Sequence, residues 1–200
     1  MFVRTESFSQ FIRLYPVISF IVALNVVVYL LCSFPLFPNE EIIVRLIAYN
    51  LFIYEGEWYR FLTAIFTHVS FTHVLFNCFS LIIFGPILER MLGKGKFIFI
   101  YLSTGILANI ATYYIQPLHY SHLGASGAIF GLFGVYLFIL LYRKHLLTQM
   151  NKQTIQIIIV FSLIMTFVQP RINITAHLVG LLAGLVLANL VIPKRKNYYY

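Results

Sequence analysis

Charge is scarce in this chain. Only 10% of its 200 residues are charged, where ordinary soluble domains carry about 25%. With 60% hydrophobic residues, too little polar side chain is left to cover a water-facing surface, so the composition excludes an ordinary soluble domain and points to a membrane protein. Cysteine is nearly absent as well. Cys32 and Cys78 both lie in apolar runs, and with no CxxC or Cys/His zinc spacing they read as buried free thiols. There is no HExxH, and no carboxylate stands at ligand spacing from His68, His73, His119 or His122, so no metal is expected. The net charge of +8 is not gathered on a basic face with interleaved aromatics, which argues against a nucleic-acid partner. No A-x-A site follows the first apolar run, which therefore reads as a retained span rather than a cleaved signal. No internal repeat is visible.

What the chain does hold is a series of apolar runs. A helix needs about 20 such residues to cross a hydrocarbon core of about 30 Å. Six runs qualify: residues 15–34, 71–88, 97–115, 124–142, 154–168 and 174–192. Pro86 with Glu89-Arg90, Pro117, Arg143-Lys144, Pro170 and Pro193-Lys194 mark the ends of the second to sixth. Lys and Arg are unevenly shared between the two sides. Arg4, Arg13, Arg90, Lys94, Lys96, Arg143, Lys144, Lys152, Lys194, Arg195 and Lys196 fall on one side, and Arg45, Arg60 and Arg171 on the other. The positive-inside rule then makes both termini cytoplasmic and requires an even number of spans. The expected fold class is an all-α membrane protein, with 1–14 a short cytoplasmic segment, 15–192 a six-span domain and 193–200 a cytoplasmic tail. The outer connection 35–70 is long; Trp58, Tyr59 and Arg60 within it suit the headgroup layer, and residues 61–66 read as interfacial or partly inserted.

Polar residues inside spans are costly and are functional suspects by default. Here they are His73 and Asn77 in span two, Ser126 in span four and His177 in span six. His73, Ser126 and His177 each lie 17 residues before a basic residue at the inner end, respectively Arg90, Arg143 and Lys194. At about 1.5 Å per residue that is one layer, about 25 Å above the inner boundary. Gly127 and Gly131 in span four, and Gly180 and Gly184 in span six, are spaced for close approach of two helix backbones in lipid. If those faces meet, Ser126 and His177 come within hydrogen-bond reach, as a base-activated serine requires. Ser126 also lies at or near a helix N-terminus, where free N–H groups suit a developing oxyanion. His73 and Asn77, four residues apart, offer further donors from one face. No Asp or Glu sits at this depth in spans two, four, five or six, so a Ser-His dyad is the economical reading, with His177 oriented by packing and Phe130 placed to stack on its ring. Taken singly these residues have plainer readings: a packing or capping serine, an interhelical histidine, a hydrogen-bonded His-Asn pair. His68, His119 and His122 read as solvated or interfacial histidines of the outer connections, and His145 of the inner side.

These residues resemble the motifs of the rhomboid family in its basic six-span form. The likeness runs from about Trp58 to Gly184. It rests on Trp58-Tyr59-Arg60; His68 and the run from His73 to Asn77; Glu89-Arg90-Met91-Leu92-Gly93; Gly124-Ala125-Ser126-Gly127; and Ala176-His177-Leu178-Val179-Gly180 with Gly184. One departure is Tyr59, which separates the Trp and Arg of the first loop. The resemblance implies a rhomboid-like bundle of six transmembrane helices with a long outer first loop, and an intramembrane serine endopeptidase. It implies Ser126 as nucleophile, His177 as base, and His73, Asn77 and the Ser126 backbone N–H as oxyanion hole. Gly124, Gly127, Gly180 and Phe130 would support them. Substrates would be transmembrane segments of other membrane proteins, cut near their outer ends, with the lipid bilayer as the other partner and no metal or organic cofactor. The fifth span and the loop after it would form a gate and cap, at about 154–175. The sequence carries no sign of an oligomeric state. Two other functions share some of these features: a non-catalytic rhomboid-like binder, which would not need Ser126, and a small transporter, which would ordinarily show inverted repeats. A neutral His177 base also predicts activity that falls as the imidazole protonates, nominally below about pH 6.5.

Overall fold

Apolar runs without interior helix breakers become helices because lipid leaves backbone groups no partner outside the segment. The computed structural model describes residues 6–192, and among these ten α-helices account for most of the chain. In order they are α1 (Phe8–Leu14), α2 (Pro16–Ser33), α3 (Asn39–Leu46), α4 (Asn50–Tyr54), α5 (Arg60–Thr63), α6 (Phe71–Leu92), α7 (Lys94–Ile115), α8 (Ser126–Tyr142), α9 (Gln149–Val168) and α10 (Ile174–Val191). Five of them, α2, α6, α7, α9 and α10, are long and apolar enough to cross a membrane, and α8 is a shorter apolar helix. These six coincide with the six expected runs. Arg4, the Pro193-Lys194 stop, the Lys194-Arg195-Lys196 cluster and the tail 193–200 lie outside the described residues.

Helix α8 is apolar on every side and is accordingly surrounded. Nearly all of its residues from Gly127 to Leu140 are buried, within the core formed with α6, α7 and α10. Its tightest neighbour is α10. A Cβ built on Gly180 would overlap the Gly127 carbonyl oxygen, one on Gly184 the Gly131 carbonyl oxygen, and one on Gly134 the Leu181 carbonyl oxygen. The two helices therefore run parallel with backbone against backbone. By contrast α9 turns Ile155, Ile159 and Thr166 inward and leaves Ile157, Phe161, Ile164 and Phe167 largely exposed.

One sequence expectation is corrected here. Pro86 and the charged pair after it do not end their helix: α6 continues through Pro86 and past Glu89-Arg90 to Leu92. Within that last turn Glu89 joins two helices. It is buried, and its two carboxylate oxygens accept the Val17 and Ile18 N–H groups at 3.0 Å each. Those are otherwise unpaired amides of the first turn of α2, whose positive dipole end favours the carboxylate.

The long first connection is tied down by its own polar groups. Arg60, expected in the headgroup layer, is instead buried; its guanidinium donates to the Val44 and Ile47 carbonyls at the end of α3 and pairs with Glu57. Trp58 is 73% exposed, as a residue at an interface would be. A two-residue strand, β1 (Ala48–Tyr49), pairs antiparallel with β2 (Ser121–His122), which lies just before α8. Asn50 reinforces this join, its side-chain amide donating to the Gln116 and Pro117 carbonyls.

The glycine contact between α8 and α10 gives a direct stability test. Gly184→Ala places a methyl group where the Gly131 carbonyl now sits, so the helices must separate. The expected cost is about 1–3 kcal/mol, read as a lower midpoint in thermal or denaturant unfolding in detergent; an unchanged midpoint would show that the helices are not in backbone contact.

Candidate active site

Ser126 is the first residue of α8, and the turn before it is held from two sides. Gly124 has φ +113°, a conformation that L side chains rarely adopt, and its N–H donates to the Ala64 carbonyl at 2.8 Å. The absence of a side chain at Gly124 also makes room for His73, because a Cβ there would lie 2.5 Å from Cε1 and 2.6 Å from Nε2 of that ring. His73, in the first turn of α6, thus rests on the turn that leads into Ser126.

Across from this turn, His177 is buried in α10, one turn after the N-cap. Asn173 supplies that cap by accepting the Ala176 N–H at 3.0 Å, and its amide donates to the Thr112 hydroxyl of α7 at 3.0 Å. Phe130 stacks on the imidazole, with centroids 4.0 Å apart and planes at 15°. Gly127, next to Ser126, meets Gly180, three residues after His177, in the α8–α10 contact. The Nδ1 atom of His177 is 2.9 Å from the Thr166 hydroxyl of α9. Among the described residues, Ser126 and His177 do not hydrogen-bond to each other.

Asn77 is buried one turn below His73 on α6. Its amide is 3.0 Å from Nε2 of His68, whose Nδ1 is 3.2 Å from the Phe66 carbonyl. A carbonyl only accepts, so Nδ1 of His68 carries the proton and Nε2 accepts from the Asn77 amide. The Ala125 N–H points at the same Nε2 from 3.5 Å. The rings of His68 and His73 meet edge to face at 4.9 Å. One end of the bundle therefore gathers Ser126, His177, His73, Asn77, Phe130, Gly124, Gly127 and Gly180. A serine at a helix N-terminus, two imidazoles and a carboxamide in a largely dry setting are the parts of an acyl-transfer site.

Residues 55–194 match the rhomboid domain. The chain belongs to the rhomboid family. It is 47% identical to the rhomboid YdcA of Bacillus subtilis over 201 aligned residues that span the whole of both proteins. The rhomboid protease GluP of the same organism is 38% identical over 146 residues, 72% of this chain and 28% of GluP. The rhomboid protease GlpG of Haemophilus influenzae is 27% identical over 148 residues, 72% of this chain and 74% of GlpG. Its class is accordingly that of a serine-type intramembrane endopeptidase, in a multi-pass membrane protein.

Within this rhomboid, three polar residues near the site were not legible as such. His68 and His122 were expected to be solvated or interfacial, yet both are buried within the protein; Nε2 of His122 is 3.2 Å from the Asn109 carboxamide oxygen. The available signal was the apolar sequence around His68, from Ala64 to Phe66, which argues for burial of whatever lies between it and α6. Thr166 gave no signal, since a threonine in an apolar helix ordinarily bonds its own i−4 carbonyl. His119 and His145 are exposed, as expected.

Burial, and after it the charge of nearby His73, push the His68 pKa down to about 4, against the opposing effect of its bond to Phe66. Burial likewise holds His122 at about 4. An unfolded histidine titrates near 6.5. Between these values the unfolded chain binds protons that the folded chain does not, so stability is full above about pH 6.5 and is lost as pH falls toward 4. The unfolding midpoint in detergent should be flat above about pH 7 and decline below about 6.5, less steeply in His68→Gln. A midpoint constant down to pH 4.5 would contradict the buried neutral histidines.

Proposed function

We propose that this rhomboid cleaves transmembrane segments of other membrane proteins near their outer ends by a Ser126–His177 dyad. The observation that carries this reading is the backbone contact of Gly127 with Gly180, which sets the Ser126 turn beside the His177 turn. His177 takes the Ser126 hydroxyl proton as the oxygen attacks the scissile carbonyl, then returns it to the leaving amine. A serine–histidine bond that is long in the free enzyme and tightens with substrate is common in such sites. The oxyanion is received by the Ser126 N–H at the positive end of α8, the Asn77 amide and His73. The proximity of His73 to the Gly124 turn supports its part in that pocket. Phe130 fixes the imidazole plane, and Gly124, Gly127 and Gly180 keep the backbone approaches open. Catalysis by these groups needs no metal or organic cofactor.

The same reading makes α8 the fourth of six spans, short because it is enclosed by protein, with 15–192 as the protease domain and both termini cytoplasmic. The excess of Lys and Arg on one side of the spans supports this orientation. The site would then open toward the outer face, and α9 with the loop after it would be the gate.

The test is cleavage of a fluorescent transmembrane substrate in proteoliposomes. Ser126→Ala and His177→Ala should each lower the rate by more than about a thousandfold while each variant still unfolds in a single cooperative transition in detergent. Cleavage that survives either substitution would refute the dyad.

A further inference from the structure

A hydroxyl has one proton to give and two lone pairs to receive with. In Thr166 the two partners are already chosen. Its Oγ1 lies 2.8 Å from the Ser162 carbonyl oxygen, one turn back on α9, and 2.9 Å from Nδ1 of His177. The first distance is usual for O–H···O and the second for N–H···O. The carbonyl of Ser162 can only accept, so the hydroxyl proton goes there. What Thr166 then turns toward His177 is a lone pair, and the proton in that bond must come from Nδ1. The threonine is 1% exposed and the histidine 7%, so the bond lies in a buried setting.

From this geometry we infer that Thr166 is a positioning residue for His177, doing with a neutral hydroxyl what a carboxylate does in a Ser-His-Asp triad. With the neutral imidazole protonated at Nδ1, Nε2 keeps its lone pair. That tautomer alone can take the Ser126 hydroxyl proton. When Nε2 has taken it, the imidazolium carries a proton on each nitrogen, and the Nδ1–H still has Thr166 Oγ1 as acceptor. The bond is therefore compatible with the base before and after proton transfer. The opposite tautomer, with Thr166 donating to Nδ1, would protonate Nε2 and disable the base. The consequence for catalysis rests on the dyad proposed above; the tautomer does not.

Two variants and one spectrum test this. Thr166→Val keeps the shape and removes the acceptor, and Thr166→Ser restores it. With ¹⁵N-labelled histidine in detergent micelles, and His177 assigned by comparison with His177→Ala, the wild type should show Nδ1 protonated and Nε2 bare in the neutral ring. Thr166→Ser should match it, and Thr166→Val should shift toward a mixture of tautomers. In the cleavage assay Thr166→Val should lose about tenfold to a hundredfold, the range for one hydrogen bond to a charged group, while Thr166→Ser stays within about threefold of wild type. A wild-type His177 protonated at Nε2 would overturn the inference whether or not the protein cleaves the substrate. So would Thr166→Val with wild-type cleavage, or Thr166→Ser as impaired as Thr166→Val. If Thr166→Val does not fold, the wild-type spectrum and the serine variant still decide. Failure of the dyad itself would appear differently, as cleavage insensitive to His177→Ala with the Nδ1 tautomer intact.

Discussion

Two helix backbones touch where Gly127 and Gly131 of α8 meet Gly180 and Gly184 of α10. In lipid no hydrophobic force drives helices together, and close packing with few side chains between them supplies the association instead. That contact fixes the axial register of the two helices, because the carbonyls of one lie where side chains of the other would otherwise be. The register then sets the relation of the first turn of α8 to the first turns of α10. Phe130 on His177 follows from it; His73, carried by α6, packs on the Gly124 turn through a separate contact.

The polar groups at this end of the bundle are held by short neutral partners rather than by charges. His68 is bracketed by the Phe66 carbonyl and the Asn77 amide, and His177 by Thr166. A carboxylate in such a setting would carry a large desolvation cost, whereas hydroxyls, amides and carbonyls can each be satisfied by one or two bonds. The buried charges are placed elsewhere: Glu89 at the N-terminus of α2 and Arg60 on the α3 carbonyls. Both act on the frame around the site, one by joining α6 to α2 and the other by anchoring the first connection that pairs with β2.

Spans and small-residue motifs were legible because they follow from length, hydropathy and spacing alone. The helices from 71, 149 and 174 differ from the expected runs by a few residues at one end: α6 runs on to Leu92, α9 begins at Gln149 and α10 stops at Val191. In α6 the extension includes Glu89, which is buried by a distant partner. Such partners cannot be seen from local pattern. Arg60 and Trp58 stand two residues apart, yet one is buried and the other exposed, because only Arg60 reaches the unpaired carbonyls of α3. His68 and His122 were misjudged for the same reason: position in a connection between spans says nothing of whether another segment covers it. Thr166 is an extreme case, its role depending wholly on the approach of α9 to α10.

The account depends most directly on whether Ser126 is a nucleophile activated by His177. Reaction of the purified protein with a fluorophosphonate, followed by mapping of the adduct by mass spectrometry, addresses this without any choice of substrate. The account predicts an adduct on Ser126 in the wild type that disappears in His177→Ala. An adduct formed equally well in His177→Ala, or a folded wild type that does not react, would contradict it.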